Sequence, residues 1–230
     1  MKQSICFILT TVFLLFVLPG NAQSKQIGKG SIGIQGGVNF QSINGKDING
    51  NQLNSDILTG YHIGFNADLK IAPGLFFQTG LNYITKGGKN YLIQSYPSVV
   101  SSVKLAYLEL PLRFVYKPIL GKGHLLIGAG SYVSYGLAGK AKFTLEGIEM
   151  KKDIRFQNKV TGQDAQNEVY FRRMDAGLSM IAGYECSNRL FFQLDTQLGL
   201  ARINPQFTVR QNDPSLAQHT GFGLSVGYRL

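Results

Sequence analysis

The chain has 230 residues, only 16% of them charged, and its 23 basic side chains outnumber its 13 acidic ones. A soluble domain carries about a quarter charged residues, so an ordinary water-facing surface is disfavoured, while 28 glycines, 15 phenylalanines and 11 tyrosines favour closely packed strands. The net charge of +10 suggests anionic lipid as the partner rather than nucleic acid, because the first residues point to export.

Those first residues are Lys2, an apolar run from Ile5 to Leu18, the break Pro19-Gly20, and the small-residue ending Asn21-Ala22-Gln23. This is the layout of a signal peptide over residues 1–22, with the domain over 23–230. The apolar run is shorter than the ~20 residues of a spanning helix. Cys6 falls in the leader, so Cys186 is left without a partner for an internal disulfide or a cysteine metal cluster.

Beyond the leader, apolar and polar residues alternate with a period of two, the mark of a strand with one greasy face. The first strand is expected over Ser31–Phe40, with Ile32, Ile34, Val38 and Phe40 on the apolar side. Tyr61–Ile71 and Leu75–Thr85 follow, joined by Ala72-Pro73-Gly74. Then come Leu105–Tyr116 and Leu125–Tyr135, and finally Arg173–Glu185, Leu190–Leu200 and Phe222–Leu230. Each is close to the ~9 to 11 residues with which a tilted strand crosses hydrocarbon.

Eight such strands make an even number, and their connections alternate between long and short, as in a barrel with long outer loops and short periplasmic turns. Phe40, Tyr61, Tyr83 and Tyr135 mark one rim of the apolar face and Tyr116, Tyr184 and Tyr228 the other, as two interfacial girdles. The alternative is a soluble barrel of lipocalin type with the faces reversed. Charge placement decides against it: the apolar set holds no Asp, Glu, Lys or Arg, and a cation at the bilayer midplane costs about 2–4 kcal/mol. The predicted fold is therefore all-β, an eight-stranded transmembrane up-and-down antiparallel barrel in the outer membrane of a Gram-negative cell.

The polar set places Asp68, Glu109, Asp175, Glu185 and Asp195 in the lumen with Lys70, Arg113, Arg173, Arg229 and His62. An eight-stranded barrel is just wide enough for its side chains to fill, so a paired, hydrogen-bonded plug is expected rather than a channel. Pro111 cannot donate to a ladder, and a bulge or missing bond is expected there.

The block Tyr107-Leu108-Glu109-Leu110-Pro111-Leu112, the glycine-rich strand Ile127-Gly128-Ala129-Gly130-Ser131-Tyr132-Val133, and Asp175-Ala176-Gly177 ahead of Gly183-Tyr184-Glu185 resemble the PorT-like outer-membrane barrel family. The resemblance covers nearly the whole mature chain and implies an OmpX-sized barrel. Its founding member is implicated in protein secretion and gliding, but family likeness implies the architecture rather than that role.

No residue stands out as catalytic, cofactor-binding or metal-binding. Gly28-Lys29-Gly30-Ser31-Ile32-Gly33 matches a dinucleotide fingerprint by letters, yet it runs into a strand instead of opening a helix. His62 near the outer rim is the most enzyme-like residue, but no nucleophile stands at a diagnostic spacing; His124 and His219 fall near turn or loop ends, without metal-ligand spacing. Lys140, Lys142, Lys151, Lys152, Arg155, Lys159 and Arg172 in the loop 139–172, with Lys86, Lys89, Lys104, Arg202 and Arg210, could bind lipopolysaccharide phosphates or simply form a solvated surface. The expected function is that of a non-enzymatic envelope scaffold, adhesin or accessory component of a secretion or assembly system. Its expected partners are outer-membrane lipid, the barrel-assembly machinery and an envelope protein; the alternatives are a lipid- or lipopolysaccharide-modifying enzyme using His62, or a narrow pore.

Overall fold

The computed structural model describes residues 30–47, 50–90, 102–145, 148–160, 168–207 and 214–230. The expected leader and Arg210 lie outside them. Eight strands form the wall: β1 (Ser31–Lys46), β2 (Leu58–Ala72), β3 (Leu75–Lys89), β4 (Ser102–Tyr116), β5 (Gly123–Leu145), β6 (Met174–Glu185), β7 (Leu190–Gly199) and β8 (Leu216–Arg229). Each pairs antiparallel with the next. The ladder from Gly33–Arg229 to Lys46–Leu216 joins β1 to β8 and closes the barrel. Closure satisfies every strand edge from within, the condition for a sheet to lie in lipid. No helix of the described residues is long and apolar enough to cross a membrane; the strands do so.

Side chains are inverted relative to a soluble protein. Ile34 (53% exposed), Ile63 (63%), Phe114 (58%) and Leu198 (52%) face outward, while Gln35, Asn39, Asn66, Gln78, Glu109 and Arg113 are buried. The rims carry the expected aromatics, with Phe40 against Phe222 (ring centroids 5.1 Å apart) and Tyr61 against Tyr83 (6.0 Å) at the long-loop end. At the other end the chain reverses tightly: Gly74, at φ 73°, takes a left-handed conformation that favours glycine, and its carbonyl accepts from the Lys117 amide at 2.7 Å.

Two features depart from the predicted outline. The segment 139–172 is not one open loop. β5 continues to Leu145 and returns through a strand at Ile148–Phe156, which Val169–Phe171 joins in parallel. Beyond the girdle the interior also changes character, with Ile43, Val103, Leu105, Phe143, Ile154 and Phe171 packed in one apolar cluster. The outer end is thus built as a water-soluble protein is, greasy inside and polar outside.

That change needs a shift of face in β5, and a bulge supplies it: Tyr107 pairs with Gly136 but Ala106 with Ala138, leaving Leu137 over. Below it the even residues Tyr132 and Ser134 point inward; above it Ala141 and Phe143 do. Because side chains alternate strictly, one extra residue reverses every face after it. Deleting Leu137 is therefore expected to remove the bulge and leave one regular strand, with Ala141 and Phe143 still inward and Lys140 and Lys142 still outward, so that the compact, heat-modifiable form on a gel is kept; loss of that form would contradict Leu137 as the extra residue.

At Pro111, where a bulge or a missing bond is expected, the pairing lapses without a bulge. Pairing between β3 and β4 lapses between Thr79–Leu112 and Asn82–Glu109, but the register on both sides is the same. Opposite β5, Pro111 stays in line with Tyr132.

Candidate functional site

The lumen holds the molecule's densest chemistry, in three levels from the outer to the periplasmic end. In the outermost, the Lys86 ammonium lies 2.8 Å from Glu109 Oε2 and 3.2 Å from Asp175 Oδ2, with all three side chains essentially inaccessible. Ser134 Oγ and Gln197 Nε2 donate to the two Glu109 oxygens at 3.0 and 2.8 Å. His219 Nδ1 stands 3.2 Å from Asp175, and the Tyr132 ring lies 3.9 Å from the ammonium. In the middle, Arg113 grips Asp195 through both terminal nitrogens, at 2.9 and 3.1 Å, and donates Nε–H to Ser179 at 2.9 Å.

At the periplasmic end, Asp68 receives Lys117 at 2.6 Å, Arg229 at 2.9 Å and Gln78 at 2.8 Å. Glu185 takes the same two cations at 2.9 and 3.4 Å. Arg229 also donates to Asn66. Among the described residues, the acids of these three levels are the five that the alternation places in the lumen. Two of the bases are not: Lys70 is exposed, and Arg173 sits at the outer rim, its guanidinium 5.3 Å from both the Tyr135 and Phe156 rings. Lys86 and Lys117 take their places.

Both substitutions have a physical reason. Lys86 continues the inward parity of Gln78, Asn82 and Ile84 in a strand that runs on to Lys89, and Lys117, one residue past the end of β4, keeps the inward parity of Arg113. Lys70 falls where β2 shifts register between Lys70 and Ala72. His219 likewise is not at a loop end but within β8, fully buried. His124 does lie at a turn, exposed.

His62 is brought to a hydroxyl that sequence spacing does not reveal, with Nε2 2.8 Å from Ser225 Oγ, 163 positions away. The cavity beside them measures about 20 Å³, room for roughly one water and no acyl chain. Among the described residues no group of three or more His, Cys, Asp or Glu is gathered to hold a metal ion, and Gly30 to Gly33 enter β1 rather than a phosphate-binding turn. The interior geometry holds ions in fixed pairs and fills the lumen. At the outer mouth the apolar cluster lies over it.

Residues 21–204 match the model of a family described as the outer membrane protein beta-barrel domain. The chain belongs to that family. It is an outer-membrane β-barrel protein, and the outward apolar face and the closed ladder are the family's way of crossing lipid. No curated protein matches the chain. Among solved structures, the attachment invasion locus protein Ail of Yersinia pestis is 14% identical with a TM-score of 0.38, and neisserial surface protein A is 12% identical with a TM-score of 0.42. Each alignment covers 88% of this chain and all of the other.

Proposed function

We propose that this protein is a non-enzymatic, non-conducting component of the outer membrane, PorT-like, that serves as a scaffold, adhesin or accessory part of a secretion or assembly system through its outer end. The sealed lumen carries this reading. Its cations and carboxylates are committed to one another, and the outer mouth is packed with apolar side chains, which leaves the projecting strands as the part available to partners. The hairpin of β5 and Ile148–Phe156 presents Ile148 (68% exposed) and Met150 (47% exposed) beyond the membrane. Barrel-assembly machinery and lipid complete the proposed set of partners.

Planar-bilayer recording of the purified barrel is expected to show no stepwise currents; openings of porin size would overturn the sealed lumen. The purified protein is also expected to release no deacylated product from lipid A, and a product that disappears with His62→Ala would replace this reading with a hydrolase. A photo-crosslinking residue at Ile148 or Met150 in intact cells is expected to capture a surface or secretion component. Capture of lipid alone would remove the protein-partner role.

A further inference from the structure

The register of the outer strands assembles a surface that the sequence scatters over 63 positions, from Lys89 to Lys151. Residues directly opposite in a sheet share a face, as do residues two apart along a strand. Lys104 of β4 stands opposite Lys140 of β5, which stands opposite Asp153. One step further out, Lys89 of β3 faces Ser102, Ser102 faces Lys142, and Lys142 faces Lys151. All five lysines are exposed. They form a block two residues deep and four strands wide on the outside of the wall.

The acids offset it weakly. Asp56 stands opposite Lys89 across an isolated bridge, its carboxylate accepting from Asn90 at 2.6 Å; Asp153 lies at the edge of the first row, and Glu149 reaches Lys142 only at 3.9 Å, with the Glu149 and Lys142 side chains about half exposed. Like charges directly opposite each other destabilise a sheet, so Lys104–Lys140 and Lys142–Lys151 are neighbours that an external anion relieves.

The block also has a fixed height. The Lys104 ammonium lies 5.1 Å from the centre of the Tyr61 ring, in the outer aromatic girdle beside Tyr83. Gly87, opposite Lys104, has no side chain to intervene. Girdle aromatics sit at headgroup level, so the lower row of lysines meets the phosphate layer and the upper row stands about 7 Å beyond it.

We propose that Lys89, Lys104, Lys140, Lys142 and Lys151 form a binding face for the phosphates of an outer-leaflet glycolipid of the lipid A class. Two other basic residues drawn together by the sequence do not join it. Lys86 is buried in the lumen, and Arg155 is paired with Glu168 at 3.1 Å. The assignment needs the long-loop end to face out of the cell and is independent of any protein partner.

The test titrates the detergent-solubilised full barrel with diphosphoryl lipid A, with the dephosphorylated lipid and with inorganic pyrophosphate, reading bound species by native mass spectrometry. The triple variant Lys104→Gln, Lys140→Gln, Lys142→Gln is expected to bind diphosphoryl lipid A about tenfold or more weakly than wild type. Lys122→Gln, in a turn at the opposite end, is expected to bind as wild type. Heat-dependent gel mobility identifies a variant that has not folded; for such a variant, Lys104→Gln alone is measured and is expected to weaken binding in the same direction. Unchanged binding by the folded variant, equal binding of the dephosphorylated lipid, or pyrophosphate bound as tightly as the lipid would each overturn the proposal.

Discussion

Replacing Lys86 by Met is expected to destabilise the barrel by about 3–5 kcal/mol, the usual effect of removing one partner from a buried ionic cluster. The ammonium faces Glu109 at 2.8 Å and Asp175 at 3.2 Å, with no solvent at any of the three side chains. Its loss leaves two carboxylates side by side. Ser134 and Gln197 still donate to Glu109, and His219 remains beside Asp175, but the charge at the centre is gone. Urea unfolding followed by gel mobility in lipid vesicles measures the change. Adding Glu109→Gln to Lys86→Met is expected to recover part of the loss by removing one unpaired charge. A single variant as stable as wild type would mean that the cluster is not the structural plug described here.

The second large effect is expected on the other face. Leu178 lies in β6 between the rim residues Met174, opposite Tyr135, and Tyr184, and its side chain is 47% exposed toward the hydrocarbon. Leu178→Arg is expected to cost about 2–4 kcal/mol, the price of a cation near the bilayer midplane. Lys142→Glu, on the outer surface of the same barrel, is expected to change stability by less than about 0.5 kcal/mol. The pair separates a lipid-facing wall from a water-facing one. In a lipocalin-like barrel Leu178 would line a cavity instead, and detergent-free buffer would support folding; equal tolerance of the two substitutions would contradict membrane insertion of this face.

Much of the architecture is legible in the chain because a barrel wall is written locally. The alternation in Tyr61–Ile71 or Phe222–Leu230 sets which side chains meet lipid, and Pro73-Gly74 marks a reversal without reference to distant residues. The five lumen acids follow from the same period of two. So does the lapse in pairing at Pro111, since a missing N–H is a property of the residue itself.

Where strands end and where their period breaks is decided by neighbours. The expected β5 stops at Tyr135 because the alternation fails there, yet the failure is a bulge at Leu137, held by β4 on one side and followed by the hairpin on the other. Lys86 looks like a loop cation until β3 is seen to extend past the girdle, where Glu109 and Asp175 converge on it from two other strands. Ser225 reaches His62 only through closure of the barrel, which brings residues 163 positions apart to 2.8 Å.

The sequence by itself determined the sidedness of the wall, because hydrocarbon acts on each residue separately through its transfer free energy. The tertiary structure decided the ion pairs, the apolar plug and the lysine face, because each depends on the register between strands. A shift of one residue in that register exchanges the inside for the outside.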